Sequence, residues 1–217
     1  MDVDETNMAA TIGNITRAFN EESKFPEMDA YMASRLFSER TAISGPGWEI
    51  PASPTKADAL EIFARMSLEM DNKRVPATGR VLYATPEAAA MLGWEKREAK
   101  GRGAARGMLT EASRIDGTRL ETVPPELMMT AYDFDGPRGG FEPLAGARQI
   151  HMLPAHPSAV LSPLRYSFAR LDPPSAGSQG KWMYYEESVE GVFVLRNKAD
   201  GVQMAAAPAP AKAPAKP

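Results

Sequence analysis

Apolar residues fall in three helical stripes before the chain changes character. Met8, Ile12, Ile15 and Phe19 recur at i, i+4, i+7 and i+11. That spacing predicts an amphipathic helix over residues 7–19. A second helix is expected from Pro26, with Glu27 and Asp29 in its first turn. Met28, Met32 and Leu36 mark one face of it, Tyr31 supports that face, and the helix frays around Arg40. Residues 21–24 between the two are polar, and are either a break or the middle of one long helix. In the second case Pro26 kinks it. Residues 44–54 are turn-rich and read as a connector around an anchoring Trp48. A third helix follows over residues 56–72, with Thr55 as its cap and Leu60, Phe63, Ser67 and Met70 as its apolar face.

The period then shortens towards two. Residues 80–84 predict a short buried strand, with Val81 and Tyr83 packed on one side of it. Thr85 is a preferred helix cap, Pro86 suits the first helical position, and residues 88–92 continue as a compact helix rich in alanine. A hairpin is expected over residues 110–123, because Asp116-Gly117 is a favoured tight-turn pair. Residues 126–131 predict one helical turn, and residues 158–161 another. Strands are expected at 149–153 and 165–171, where Tyr166, Phe168 and Arg170 alternate with Arg165, Ser167 and Ala169. Residues 182–187 and 192–195 are expected to pair as an antiparallel ribbon, and 202–204 to form a short last strand.

Two stretches break the pattern. Residues 93–107 hold Lys96, Arg97, Lys100, Arg102 and Arg106 against Glu95 and Glu98, with four glycines. A solvated loop is the first reading of that composition, and a phosphate- or partner-binding loop the second. From Ala205 the chain reads AAAPAPAKAPAKP. With no bulky side chain it is expected to be a disordered, polyproline-like tail over residues 205–217, presenting Lys212 and Lys216.

Composition narrows the function classes. The chain of 217 residues is 43% hydrophobic and 24% charged, which is a globular composition. It has no cysteine, which excludes disulfides, thiolate metal sites and thiol catalysis. A net charge of −3 argues against a dedicated nucleic-acid binder. No window supplies the roughly 18 apolar residues of a spanning helix, and no signal peptide is recognisable, so a cytoplasmic origin is expected.

Catalytic patterns are missing too. There is no Gly-x-Ser-x-Gly elbow, and the glycines of residues 136–140 lack the lysine of a phosphate loop. His151 and His156 have no metal-ligand spacing and are expected to be satisfied structural histidines. Asp133 and Asp135 form a carboxylate pair without a partner nucleophile. No catalytic, cofactor-binding or metal residue is assigned, and the chain is not expected to be an enzyme.

Several segments, in order, resemble the major capsid (coat) proteins of tailed bacteriophages, which have the Hong Kong-type capsid fold. They are Asp2-Val-Asp-Glu-Thr-Asn7 leading into a helix, Phe25-Pro-Glu-Met-Asp-Ala-Tyr31, and Val75-Pro76 with Gly79-Arg-Val-Leu-Tyr83. Ile115-Asp-Gly117 with Val123-Pro124 follows, then Ile150-His-Met-Leu153 with His156-Pro-Ser-Ala-Val160. The last are Val192-Phe-Val-Leu195, Asn197-Lys198 and Asp200-Gly201.

That resemblance implies an α+β, two-lobed phage capsid fold. Residues 1–74 and 148–204 would form a peripheral domain of spine helix and late strands. Residues 75–147 would form an axial domain, a mixed sheet with flanking helices. It further implies a structural subunit of a phage or prophage virion capsid, with no cofactor. The subunit would assemble with itself, as pentamers and hexamers of an icosahedral shell, in the host cytoplasm. Other capsid, scaffolding or portal proteins would be further partners. The shell would enclose DNA without reading its sequence and would involve no membrane. Lys96, Arg97, Lys100, Arg102 and Arg106 become the candidate subunit-contact loop. The N-terminal arm and extended loop usual in this family are expected to be lacking. A small α+β enzyme binding a nucleotide or phosphate ligand is the alternative.

Overall fold

Pro26 decides how the first two helical stripes connect. In the computed structural model, which describes residues 14, 16–99, 114–115, 117–136 and 140–209, residues 16–19 are helical and run into a π-helical turn at Asn20–Lys24. Helix α1, Phe25–Ser44, continues directly from it. A proline ring collides with the carbonyl four residues back and offers no N–H. Widening the turn to i→i+5 accommodates both, and the Phe25 N–H accordingly donates to the Asn20 carbonyl. The polar residues 21–24 are a continuation, not a break.

Helix α1 buries Ala30, Ala33, Ser34, Leu36 and Arg40, so of the expected Met28–Met32–Leu36 stripe only Leu36 is fully buried. Small residues at 30, 33 and 34 bring the helix close to what lies beneath. Helix α2, Ala59–Asn72, buries Ala59, Ile62, Phe63, Met66 and Met70. Leu60 is exposed, so the true face is offset from the expected one. The cap also differs: Asp58 holds the N-cap position and its Oδ1 accepts the Thr55 N–H at 2.6 Å. The helix closes where the Val75 N–H reaches the Met70 carbonyl at 2.9 Å, with Arg74 in the left-handed region at φ 61.

Twelve strands are described: β1 (Ile50–Pro51), β2 (Val81–Ala84), β3 (Arg114–Ile115), β4 (Thr118–Thr122), β5 (Tyr132–Asp133) and β6 (Glu142–Pro143). The rest are β7 (Ile150–Ala155), β8 (Val160–Leu161), β9 (Leu164–Asp172), β10 (Met183–Glu190), β11 (Phe193–Val194) and β12 (Ala205–Ala206). A mixed sheet has the order β1-β12-β7-β2-β4-β3. β1 and β12 are parallel, as are β2 and β4; the other neighbours are antiparallel. The short β3–β4 hairpin lies where Asp116-Gly117 predicted it, with Gly117 at φ 80.

The sheet separates two cores. On one face Leu36 of α1 meets Met128, Ile150, Leu153, Val194, Val202 and Met204. On the other, Ile62, Phe63 and Met66 of α2 pack with Leu82, Ala84, Met152 and Ala205, and with Ala88 and Leu92 of helix α3 (Pro86–Ala99). Helix, sheet and paired helices thus stack as three layers. Helix α2 and β7, far apart in sequence, share one core with β2 and α3.

Three further expectations are corrected. Ala205 and Ala206, read as the start of a tail, are a fully buried strand between β1 and β7. Side chains of one carbon let the layers on both faces close over them, a role that a composition rich in alanine and proline does not announce. Second, residues 182–187 do not pair with 192–195. β10 pairs with β9, and β11 pairs with β8. Third, α3 runs to Ala99, so the helix continues well past Leu92.

Candidate functional site

Alternation along β2 builds an open recess. Leu82 and Ala84 point into the core beneath α2 and α3, and are fully buried. Val81 and Tyr83 share the other face, as expected, and are half buried, with Tyr83 packed against the core beneath α1. They form the floor of an open cavity of about 340 Å³ between α1 and the sheet. Asp29, Met32 and Ala33 of α1 form one wall; Arg119 and Glu121 of β4 lie opposite, ion-paired with each other. A smaller recess of about 190 Å³ shares Met32, Val81 and Tyr83 and extends to His156 and Val160.

The charges in this groove are tuned by burial. Desolvation pushes the Asp29 carboxyl above its ordinary value. Tyr83 is pushed up by burial first, then by the nearby Glu121 charge. A raised tyrosine is a poor base at neutral pH. Among the described residues no cluster of three His, Asp or Glu side chains is arranged to hold a metal ion.

The Asp29 shift has a defined pH consequence. Its folded-state pKa lies above the unfolded value of 3.8, so the charged form is the one the fold disfavours. The stability it contributes is complete below 3.8 and is lost as pH rises through the raised folded value. Asp29→Asn is therefore expected to raise the melting temperature at pH 7, with a gain that shrinks as pH falls towards 4. Thermal unfolding of both proteins across that range measures it; a gain independent of pH would contradict the assignment.

Of the two histidines, one is satisfied. His156 Nδ1 accepts the Ser158 N–H at 3.1 Å, and its Nε2 lies 3.1 Å from the Thr78 carbonyl, to which it donates. It joins the 3-10 turn Pro157–Ala159 to the turn before β2. His151 corrects the expectation: among the described residues its buried Nε2 has no hydrogen-bond partner, and burial pushes its pKa down. The Asp133–Asp135 pair is an Asx turn, with the Asp135 N–H donating to Asp133 Oδ1 at 2.9 Å.

Buried arginines make the remote attachments. Arg40 Nη2 reaches Asp200 Oδ1 at 2.8 Å and its Nε the Val202 carbonyl at 3.3 Å, beneath the Trp48 ring. Arg148 pairs with Glu49 at 2.8 Å and its guanidinium lies over Phe37. No local motif marks these arginines, because their ion-pair partners Asp200 and Glu49 lie 160 and 99 residues away. Lys96 and Arg97 fall in the last turns of α3, not in a loop. Their side chains, and the whole of Lys100, Arg102 and Arg106, lie outside the described residues.

A different surface stands out beyond the sheet. β9 and β10 form a two-stranded ribbon that joins no other described strand. Lys24, in the π-turn, pairs with Glu186 on one side of it, and Tyr184 donates to the same carboxylate at 2.9 Å.

No family model matches the sequence, and no curated protein matches it either. Solved structures do. One described as Mycobacterium phage Che8 matches with 17% identity and a TM-score of 0.55, over 88% of this chain and 61% of that one. The mature capsid of bacteriophage PhiM1 matches with 13% identity and a TM-score of 0.59, over 83% and 60%. This is a phage capsid fold. The capsid of cyanophage P-SCSP1u matches with 16% identity and a TM-score of 0.55, over 97% and 67%. The chain therefore spans about three fifths of the length of the first two phage chains it matches. At these identities the capsid fold is what is shared. Among the described residues no helix is long and apolar enough to cross a membrane.

Proposed function

We propose that this chain is a non-enzymatic structural subunit of a phage or prophage capsid, one that self-assembles into an icosahedral shell. The observation that carries the reading is coverage: the capsid likeness runs through 83% to 97% of the chain, not through one motif. The groove along α1 supports it from the other side, since its acidic and phenolic groups lack the partners that acid–base chemistry needs.

In this reading the mixed sheet with α2 and α3 is the axial lobe. Helix α1 and the β8–β11 region are the peripheral lobe. Lys96, Arg97, Lys100, Arg102 and Arg106 contact neighbours around fivefold and sixfold positions. The shell forms in the host cytoplasm, encloses DNA without reading it, and accepts other capsid, scaffolding or portal proteins as partners. Its contacts are heterologous and close on themselves.

Light scattering behind size-exclusion chromatography, with negative-stain microscopy of the same fractions, tests the proposal. Concentration-dependent rings, capsomers or shells are the expected result. A strict monomer at millimolar concentration would overturn it.

A further inference from the structure

The groove between α1 and the sheet carries one charge that nothing offsets. Of its three charged groups, Arg119 and Glu121 pair with each other. Asp29 remains: burial is the influence that shifts it, and among the described residues no cation pairs with it. The Tyr83 ring and the side chains of Val81, Met32 and Leu153 line the same space. A partly desolvated carboxylate beside an aromatic ring and aliphatic groups suits an ammonium carried on an extended, apolar backbone.

The end of the chain has that chemistry. Residues 208–217 read PAPAKAPAKP, in which Lys212 and Lys216 are the only charged side chains. Segments rich in proline favour the extended polyproline form, which aromatic-lined grooves take up at little ordering cost. The segment also starts close by. The Ala207 N–H donates to the Gln149 carbonyl at 2.8 Å, and Pro208 and Ala209 are exposed. On the other side of Gln149 lies Met129, bridged to it, and its neighbour Met128 lines the groove. Two strand spacings, about 10 Å, therefore separate the exit of the segment from this end of the groove. Ten residues of polyproline helix reach about 31 Å.

We propose that residues 210–217 dock in the groove of their own chain, with a lysine ammonium against Asp29 and prolines along Tyr83 and Val81. Three features select this occupant: the sign of its charge, its apolar extended backbone and its reach. Tethering strengthens the choice, because a segment fixed at Ala207 meets the groove at a high effective concentration, so that a contact of few groups is populated. The inference stands apart from the capsid reading.

The test uses the full chain, which has no cysteine of its own, with benzophenone maleimide attached at Ala213→Cys. After irradiation of a dilute sample, mass spectrometry should place the main cross-link on Met32, Tyr83 or their immediate neighbours, within a single chain. Asp29→Lys should cut its yield about three- to fivefold, as loss of one partly exposed ion pair does. Lys212→Glu/Lys216→Glu should do the same, and all three changes together should restore the yield. If circular dichroism shows that Asp29→Lys misfolds, the lysine variant decides alone. Stability gives a second readout. The rise in melting temperature from Asp29→Asn should be larger in the Lys212→Glu/Lys216→Glu chain, where no ammonium offsets the carboxylate. Cross-links scattered over the surface, a groove cross-link that joins two chains, or a yield indifferent to the lysine variant would overturn the docking and leave the capsid reading standing. A chain that never associates would overturn that reading and leave the docking in place.

Discussion

Replacing Arg80 with alanine should lower the free energy of unfolding by about 3 kcal/mol or more, the range for a buried, hydrogen-bonded charge removed from its partners. The side chain is 5% exposed and donates in four directions. Its Nε reaches the Pro76 carbonyl at 2.9 Å, and its Nη1 the Ser67 carbonyl at 3.5 Å. Nη2 reaches Asp71 Oδ1 at 2.6 Å and the Val75 carbonyl at 2.5 Å. These acceptors lie in the last turns of α2 and in the turn that leads to β2, so one side chain ties the helix end to the strand. Alanine leaves them unpaired at the same moment that it opens a void. Asp71 itself is more than half exposed and recovers water, so the loss comes chiefly from the carbonyls. For a chain of this size such a change lowers the melting temperature by about 6–12 °C. Arg80→Lys should recover only part of it, because one ammonium cannot reproduce a planar fork. Denaturant titration of the three proteins reads the difference; equal midpoints would show that the fork contributes nothing.

Leu36→Ala is the second large effect, with an expected loss of about 2–5 kcal/mol. Ala30 and Ala33 are the other buried apolar positions of α1, and they are already small. Leu36, at 0% exposure, is thus the one bulky apolar side chain by which the helix is fully sunk into the core of Ile150, Val194, Val202 and Met204. Those neighbours come from separate segments, at β7, at β11 and just before β12, fixed by the sheet and the turns around it. They have little freedom to fill the gap. Urea unfolding at neutral pH measures the loss; a shift below about 1 kcal/mol would mean that the surrounding segments collapse into the cavity.

How far the sequence disclosed this fold depends on where the partners of each element lie. Thr85, Pro86 and Gly117 were legible because their physics is local. The Thr85 hydroxyl accepts the Ala88 N–H at 3.3 Å as a cap should, and Gly117 takes the positive φ of its turn. Helix α1 was legible in existence but not in its buried face. It meets β5, β11 and the 3-10 turns at Pro125–Leu127 and Arg196–Gly201 from different sides, which leaves no single stripe. Strand pairing failed at β10 for a related reason. Residues 182–187 and 192–195 are neighbours in sequence, yet nine residues of β9 outcompete two of β11 for the same edge.

The candidate site was less legible than the fold. The basic residues singled out from composition lie largely outside the described structure. The groove at Asp29 and Tyr83 arises from register between distant strands. The alternation at residues 165–171 was visible, but which side of the ribbon is tied down depends on Lys24, far back in the chain.

The position of β12 carries one more implication, for the order in which the molecule is made and folds. Ile50 and Pro51 find their strand partners only in Ala205 and Ala206, and the Ile50 and Ala52 N–H groups donate to carbonyls at Met204 and Ala206. No described strand synthesised earlier supplies that neighbour. The edge of the sheet nearest the start of the chain must wait, unpaired, until residue 206 has left the ribosome. A premature stop at Met204 would strand β1 in water, so each polypeptide closes its sheet only late in its own synthesis.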